Sequence, residues 1–393
     1  MMVSWVFGMR SMRHAAPAII AISLAAGAVH GAELAPETPH VVTLGPSNGH
    51  RIFLVDTPVA HDVDGKIHVM DGDSFKTLGE LPNGFFGAMS VSKDGATLYN
   101  ATTYFARGDH GGRTDVVEFY DTRSLALRGE VALPPKRVQT TGYAAYLPDS
   151  AHGTYLFVQN ATPASSVTVV DPAHRRVLAE IPTAGCIGIY PSPMVEGRFS
   201  SLCGDGSAIT VDFDGAGHEI GRHRSAKFFD PDGDALFVAG VPVSGGKTLF
   251  VSFLGHAQTV DFTGSTAKAD AAWPLVVGGD LDEGWRPGGY QILAYNAATG
   301  QAYVGMHAHG VEGSHKVGAQ QVWRVDLASQ SVKAKGPGGG SAFVAVSAGA
   351  HPVVFTSNMD TGVETRLDGD TLAVQGASAE HGIVESGGLM AVQ

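Results

Sequence analysis

The chain has 393 residues, 44% of them apolar and only 16% charged, with 52 glycines, 20 prolines and two cysteines. Abundant glycine with few charges describes one large β-rich body and excludes a disordered chain, a coiled coil and a membrane bundle. The formal charge of −12 argues against a nucleic-acid partner, because phosphate binding draws on a basic footprint that is absent here.

Residues 1–31 read as a leader. Arg10 and Arg13 precede a charge-free stretch from Ala15 to Val29, and Val29 and Gly31 place small residues before a cut at Ala32. That is the order of a secretory signal peptide, and the apolar run is too short for a membrane span. Its removal leaves 24 basic and 38 acidic residues, a charge of −14 dispersed without long runs.

Beyond the leader, a short β-branched strand ending in Asp recurs. It appears as Ile67–Asp71, Val117–Asp121, Val167–Asp171, Ile209–Asp212, Gln258–Asp261, Val322–Asp326 and Glu364–Asp368. The aspartates follow one another at intervals of about 50 residues, a period that belongs to repeat architectures. Each Asp opens a turn by capping backbone amides that follow it. In the first unit a strand at Leu78–Leu81 comes next, then an apolar strand at Gly87–Val91, a Lys93-Asp94-Gly95 turn, and a strand at Thr97–Ala101. Four short strands per unit describe one propeller blade, so residues 32–393 are expected to form a single all-β domain, a seven-bladed β-propeller. A β-helix would repeat at a shorter and more regular interval. The strand Arg51–Asp56 stands outside the seven units and is expected to complete the last blade, closing the ring.

Cys186 and Cys203 lie 17 residues apart. In an exported chain this spacing suits a disulfide between adjacent antiparallel strands, worth about 3 kcal/mol by loop entropy. A metal pair or a reactive thiol fits less well, since no Cys-x-x-Cys and no neighbouring His accompanies them.

Other candidates for chemistry are weak. His307, His309 and His315, with Glu312, could ligate a metal, but nothing fixes the rest of a site. Asp230-Pro231-Asp232-Gly233-Asp234 resembles a calcium loop yet lacks its bidentate Glu, so a turn is expected. Gly336–Gly340 has no Lys following it and reads as a flexible connection rather than a phosphate loop. Asn160-Ala161-Thr162 matches a glycosylation triplet. No Gly-x-Ser-x-Gly elbow is present, and no catalytic residue is expected on this chain.

Longer segments carry more information: Arg107-Gly108 with Arg113–Glu118, Gly185-Cys186 with Cys203–Gly206, and Trp285-Arg286-Pro287-Gly288-Gly289-Tyr290. In these the chain resembles the heavy subunit of the tryptophan tryptophylquinone-dependent amine dehydrogenases. Leu133–Gln139, Gln159–Ala164 and His307–Lys316 are more similar to the aromatic amine branch, with the methylamine branch second. The resemblance implies a periplasmic enzyme that converts primary amines to aldehyde and ammonia and passes electrons to a small blue copper protein. It implies that the tryptophan tryptophylquinone cofactor and the catalytic base reside on a separate light subunit, in a complex of two heavy and two light chains. The heavy chain then supplies scaffold and part of the substrate channel. Trp273, Trp285 and Trp323 are not assigned to a cofactor.

The same resemblance carries an aromatic channel residue of the methylamine branch, ten residues before the Gly of an Asp-Gly turn, onto Phe85, with Phe86 beside it. Two ordinary core aromatics are the competing reading. At the level of function the alternatives are a propeller used only to bind proteins, and a free-standing propeller enzyme such as a lactonase with carboxylates or calcium in its central channel.

Overall fold

The computed structural model describes residues 43–393 apart from His381, Ile383 and Leu389, without the side chains of Val59, Ala60 and His61; the expected leader lies outside the described residues. Among these residues helix is confined to short turns, with a single four-residue α-helix at Gly279–Asp282. No described helix is long and apolar enough to cross a membrane.

The strands form antiparallel sheets in which the chain steps outward from strand to neighbouring strand. One long strand, Thr77–Val91, turns a corner. Up to Gly84 it pairs with Gly65–Asp71, and from Phe85 it pairs with Thr97–Phe105, so it serves two four-stranded sets. Further sets follow at residues 156–182, 186–224, 241–274, 286–341 and 343–377.

Each Asp-ended segment of the repeat is a strand of its set, followed by the outer strand. The capping is as expected: Asp71 Oδ1 accepts from the Ser74 amide (2.8 Å), Asp121 from Ser124 (2.7 Å), Asp326 from Ser329 (2.7 Å) and Asp368 from Thr371 (2.8 Å). The residue four positions beyond five of these aspartates, Phe75, Leu125, Arg175, Gln330 and Leu372, has φ between 51° and 59°. Such a left-handed residue is costly without glycine, and the capped turn holds it in place. Asp212 departs from the pattern. It pairs with Arg198 (2.6 Å), and Asp214 caps the turn instead.

The two chain ends pair as expected, the short C-terminal strand Met390–Val392 running beside Arg51–Asp56 through Ile52, Phe53 and Leu54, but they do so in the first set, where Arg51–Asp56 also pairs with Gly65–Asp71, and not in the last. The reason is strand count. The last set already has four strands of its own, whereas the first lacks an innermost one. Ile52 and Leu54 then bury against Phe355 and Val384 near the other end of the chain. The C-terminal strand thereby covers an edge that would otherwise expose unpaired amides.

Gly336–Gly340 also differs. It is not a free connection but part of the strand Ser331–Ser341, paired with Ala319–Asp326 across a bulge. A Cβ on Gly338 would lie 2.4 Å from the Ala319 carbonyl oxygen, so close backbone approach demands glycine there.

Cys186 and Cys203 are directly opposed on adjacent strands and joined as a disulfide, as expected. Asn160 is 1% exposed, and its amide donates to Ser166 (3.0 Å) and Thr168 (2.9 Å), which takes it out of reach of glycosylation.

Candidate functional site

Strand direction sorts the loops. The Asp turns share one end of the sheets, where Arg366 meets Asp73 (2.8 Å) and Arg324 meets Asp370 (3.3 Å) across sets. The other end collects the loops between second and third strands and the connections between sets. Leu133–Gln139, Gln159–Ala164, Cys203–Gly206, Trp285–Tyr290 and His307–Lys316 run into or through this second end. Because these segments gather there, this is the motif end.

The corner Gly84-Phe85-Phe86-Gly87 lies there. Gly84 has φ +57° and Phe86 φ +45°, and the ladder slips between Phe85 and Ala88. A Cβ on Gly84 would sit 2.8 Å from the Thr103 carbonyl oxygen, so this position requires glycine. Phe86 tolerates a left-handed backbone only if its surroundings fix it. Arg137 does so. Its Nη1 donates to the carbonyl oxygens of Phe86 (2.7 Å) and Val138 (2.8 Å), and Nη2 to Phe85 O (2.8 Å) and Thr103 Oγ1 (3.0 Å).

Arg137 is 3% exposed. Burial pushes its guanidinium down to about 10, with Asp115 opposing that shift and Arg113 adding to it, so it is cationic at neutral pH. The Asp115 side chain is fully buried. It takes a forked contact from Arg113 (2.7 and 2.6 Å), a hydroxyl bond from Thr103 (2.8 Å) and the Arg137 backbone amide (3.2 Å). Two segments well separated in sequence thus hold the Phe85–Phe86 corner from behind, as a planar bidentate cation can and a point charge cannot.

In front, Phe86 lines a cavity of about 40 Å³ with Thr140, Thr141, Phe343, Met359 and Gly388. The Phe85 ring is half-buried and packs edge-on against Phe86 (4.8 Å) and Phe105 (5.7 Å). Tyr290, which ends the Trp285–Tyr290 segment, stacks on Phe343 at 5.9 Å and lies 6.2 Å from Tyr143. The Phe pair named from the sequence therefore sits in an aromatic wall. Arg137 and Asp115 lie within the segments Leu133–Gln139 and Arg113–Glu118 that carry the resemblance, with no role assigned to either from the sequence, and Tyr143 and Phe343 carry no sequence signal.

The two remaining loop candidates meet each other. His315 stacks on Phe253 (4.5 Å), and Pro231, Asp232 and Glu312 line the same recess. His307 ends its strand buried, whereas His309 turns out with φ +56°, so they do not share a face. Burial and Lys316 hold His315 below the usual imidazole range. Asp230–Asp234 is a turn, in which Asp234 binds His256 (2.7 Å) and the Leu254 amide (2.7 Å). Among the described residues no group of three or more His, Cys, Asp or Glu side chains gathers to hold a metal.

Trp285 and Trp323 lie 5.5 Å apart in the core, and their ring N–H groups donate to Glu283 (2.7 Å) and Gln321 (2.8 Å). Both rings pack in the same core cluster.

Comparison with known proteins agrees with the all-β architecture. A solved structure, dihydro-heme d1 dehydrogenase NirN, superposes with a TM-score of 0.54 at 16% identity, covering 87% of this chain and 66% of that one, and is of propeller type. The methylamine dehydrogenase heavy chain of Methylobacillus flagellatus is 25% identical over 72% of this chain and 69% of its own length. That of Methylorubrum extorquens is 27% identical over 68% of this chain and 65% of its own, so the match spans about two thirds of these relatives. Their description names the branch that the segment similarities ranked second, and the aromatic branch receives no support. The family model described as "Methylamine dehydrogenase heavy chain (MADH)" matches residues 48–367. The chain belongs to the methylamine dehydrogenase heavy chain family.

Proposed function

We propose that this chain is the heavy subunit of a periplasmic amine dehydrogenase whose substrate is a short primary amine, methylamine in the first instance. The observation that carries this reading is the Arg137-clamped Phe85–Phe86 corner, which presents an aromatic wall at the motif end. The cavity there is of about 40 Å³. The relatives in the comparison are methylamine dehydrogenase heavy chains, which favours a small amine over an arylalkyl one and reverses the order of preference drawn from the segment similarities.

The partner is a light subunit carrying tryptophan tryptophylquinone, in a complex of two heavy and two light chains. When bound, that cofactor accepts two electrons from the amine, and a small blue copper protein takes them onward one at a time. This chain's residues do other work. Phe85 and Phe86 line the approach and exclude water, and Arg137 fixes their backbone so that the wall keeps its shape. Leu254, Val277, Leu281, Val311 and Val317, each 39 to 65% exposed, fall on motif-end loops of two neighbouring sets and give the light subunit an apolar docking surface. Seven blades, one for each Asp-ended strand, form the scaffold. The buried disulfide fits an oxidising compartment and an exported chain cleaved after Gly31.

The test is the Phe85→Ala and Phe86→Ala pair in the reconstituted enzyme. Opening the wall is expected to raise kcat/KM for benzylamine relative to methylamine by roughly tenfold, about 1.4 kcal/mol, while the quinone spectrum stays intact. Unchanged selectivity in both variants would remove these residues from the channel.

A further inference from the structure

The cavity that Phe86 lines has a second wall, supplied from the far end of the chain. Ser386, Gly387 and Gly388 border it, together with Val55, Thr57 and Met359. Residues 385–388 belong to no strand, and the C-terminal strand that completes the first set is Met390–Val392. The sheet ladder therefore does not dictate where this segment lies.

This wall is main chain. A Cβ on Gly387 would overlap Ser357 Oγ, and one on Gly388 the Val55 carbonyl oxygen, so both positions require glycine and the segment presses directly on its neighbours. A wall without side chains takes the shape of its backbone, and that shape depends on where the backbone is tied.

Two ties hold it. At one end Asp56 accepts from the Ser386 amide on Oδ1 and from the Glu385 amide on Oδ2, both at 2.9 Å. At the other, the Gln291 side chain accepts from the Met390 amide (2.8 Å) and donates to the Met390 carbonyl oxygen (2.9 Å). The Ser386 hydroxyl in turn donates to Met359 O (2.8 Å), so Met359 is placed on the cavity through the Asp56 tie.

Asp56 ends the strand Arg51–Asp56 and is 4% exposed. A carboxylate buried to this degree is costly unless its oxygens are used. His68 Nε2, also buried, lies 3.2 Å from Oδ2, and Glu80 lies 3.3 Å from the other ring nitrogen. The carboxylate is thus oriented by His68 and spends its remaining capacity on Glu385 and Ser386. Ring closure does not call for these bonds, since Ile52–Leu54 already pair with Met390–Val392. What they fix is the wall.

We propose that Asp56 is a positioning residue for amine selectivity: by holding Glu385 and Ser386 it sets the Ser386–Gly388 wall and, through Ser386, Met359. The inference rests on the amine dehydrogenase reading with Phe86 in the channel. The cavity is then shaped from two sides, by the buried Arg137 cation behind the Phe85–Phe86 corner and by the buried Asp56 anion behind the C-terminal segment. Releasing either makes room for a larger amine.

Two measurements test this. The first is hydrogen exchange in the full heavy chain alone, read over residues 384–388. Slow exchange is expected in the wild type, and exchange about tenfold faster in Asp56→Ala. The second is selectivity of the enzyme assembled with its light subunit. Asp56→Ala is expected to raise kcat/KM for benzylamine relative to methylamine by about tenfold, and the milder Asp56→Asn, which keeps one acceptor oxygen, by about threefold. Added to Phe86→Ala, Asp56→Ala is expected to contribute less than it does alone, because both open one cavity. Val211→Ala, which thins the core of another set, is expected to lower stability without moving selectivity. Fast exchange already in the wild type, or slow exchange kept in Asp56→Ala, would overturn the proposal. So would unchanged selectivity in both Asp56 variants, full additivity with Phe86→Ala, or an equal selectivity shift in Val211→Ala. These results defeat the proposal alone, whereas a wild-type complex that does not oxidise methylamine would overturn the enzyme reading and the proposal with it.

Discussion

Replacing Arg137 by Met removes the cation that holds the Phe85–Phe86 corner while preserving most of the side chain's bulk. Its guanidinium makes four hydrogen bonds, two of them to the carbonyl oxygens of the corner itself. Each bond from a charged donor contributes about 1.5–3 kcal/mol, and removing one member of a buried charged network costs about 3–5 kcal/mol. Asp115 keeps Arg113 after the change, which limits the loss, so about 4 kcal/mol is expected. For a β domain of some 350 residues that corresponds to a fall in Tm of roughly 4–6 °C. Urea unfolding with an unchanged m value measures the loss directly. Arg137→Lys restores the charge but not the fork, and is expected to recover about half of the deficit. Without the clamp Phe86 relaxes out of its left-handed backbone, so amine selectivity should move in the direction of Phe85→Ala. A destabilisation under about 1 kcal/mol with unaltered selectivity would refute the assignment of Arg137 as the residue that shapes the wall.

Two further outcomes follow from the ring closure. Glu364 is 1% exposed, and burial, with repulsion from Asp56, pushes its carboxyl up to about 7. A raised native value means that the folded state binds the proton more tightly. Stability is therefore full below the ordinary carboxylate value near 4.5 and declines as pH rises through about 7, by about 3 kcal/mol in all. Denaturant titrations between pH 4.5 and 8 should show this slope, and Glu364→Gln should flatten it while keeping the contacts with Ser357 and Ser378; an unchanged slope in that variant would assign the effect elsewhere. Deleting the strand Met390–Val392 with Gln393 bares Ile52–Leu54, and the shortened chain is expected to melt lower and to self-associate on gel filtration. A monodisperse, equally stable deletion would mean that the terminal strand does not close the ring.

Most of the strand pattern can be read from the chain because it is written locally: a β-branched run and an Asp whose carboxylate caps the next turn recur in every set but that of Asp212. Non-local pairing is read only in part: the surplus strand Arg51–Asp56 at one end and a short strand at the other point to each other, but which set they complete is decided by the count of strands in each set. Gly336–Gly340 looked like a linker because glycine usually signals freedom, whereas here it answers to the approach of the Ala319 backbone. The candidate site was half visible. Phe85 and Phe86 were reached through resemblance, but Arg137 is distant from both in sequence, and its grip runs through backbone carbonyls that carry no sequence mark. The His307–Lys316 and Asp230–Asp234 loops each looked like an isolated metal motif. Their meeting around Phe253 and His315 is a product of neighbouring sets and has no local signal.

A direct test of the heavy-subunit reading is purification of this chain after co-expression with its neighbouring genes. The expected product is a complex of heavy and light chains that absorbs in the visible, is bleached by methylamine, and is dissociated by Leu281→Asp with Val311→Asp. A colourless heavy chain that isolates alone, with no amine-dependent spectral change, would contradict that reading.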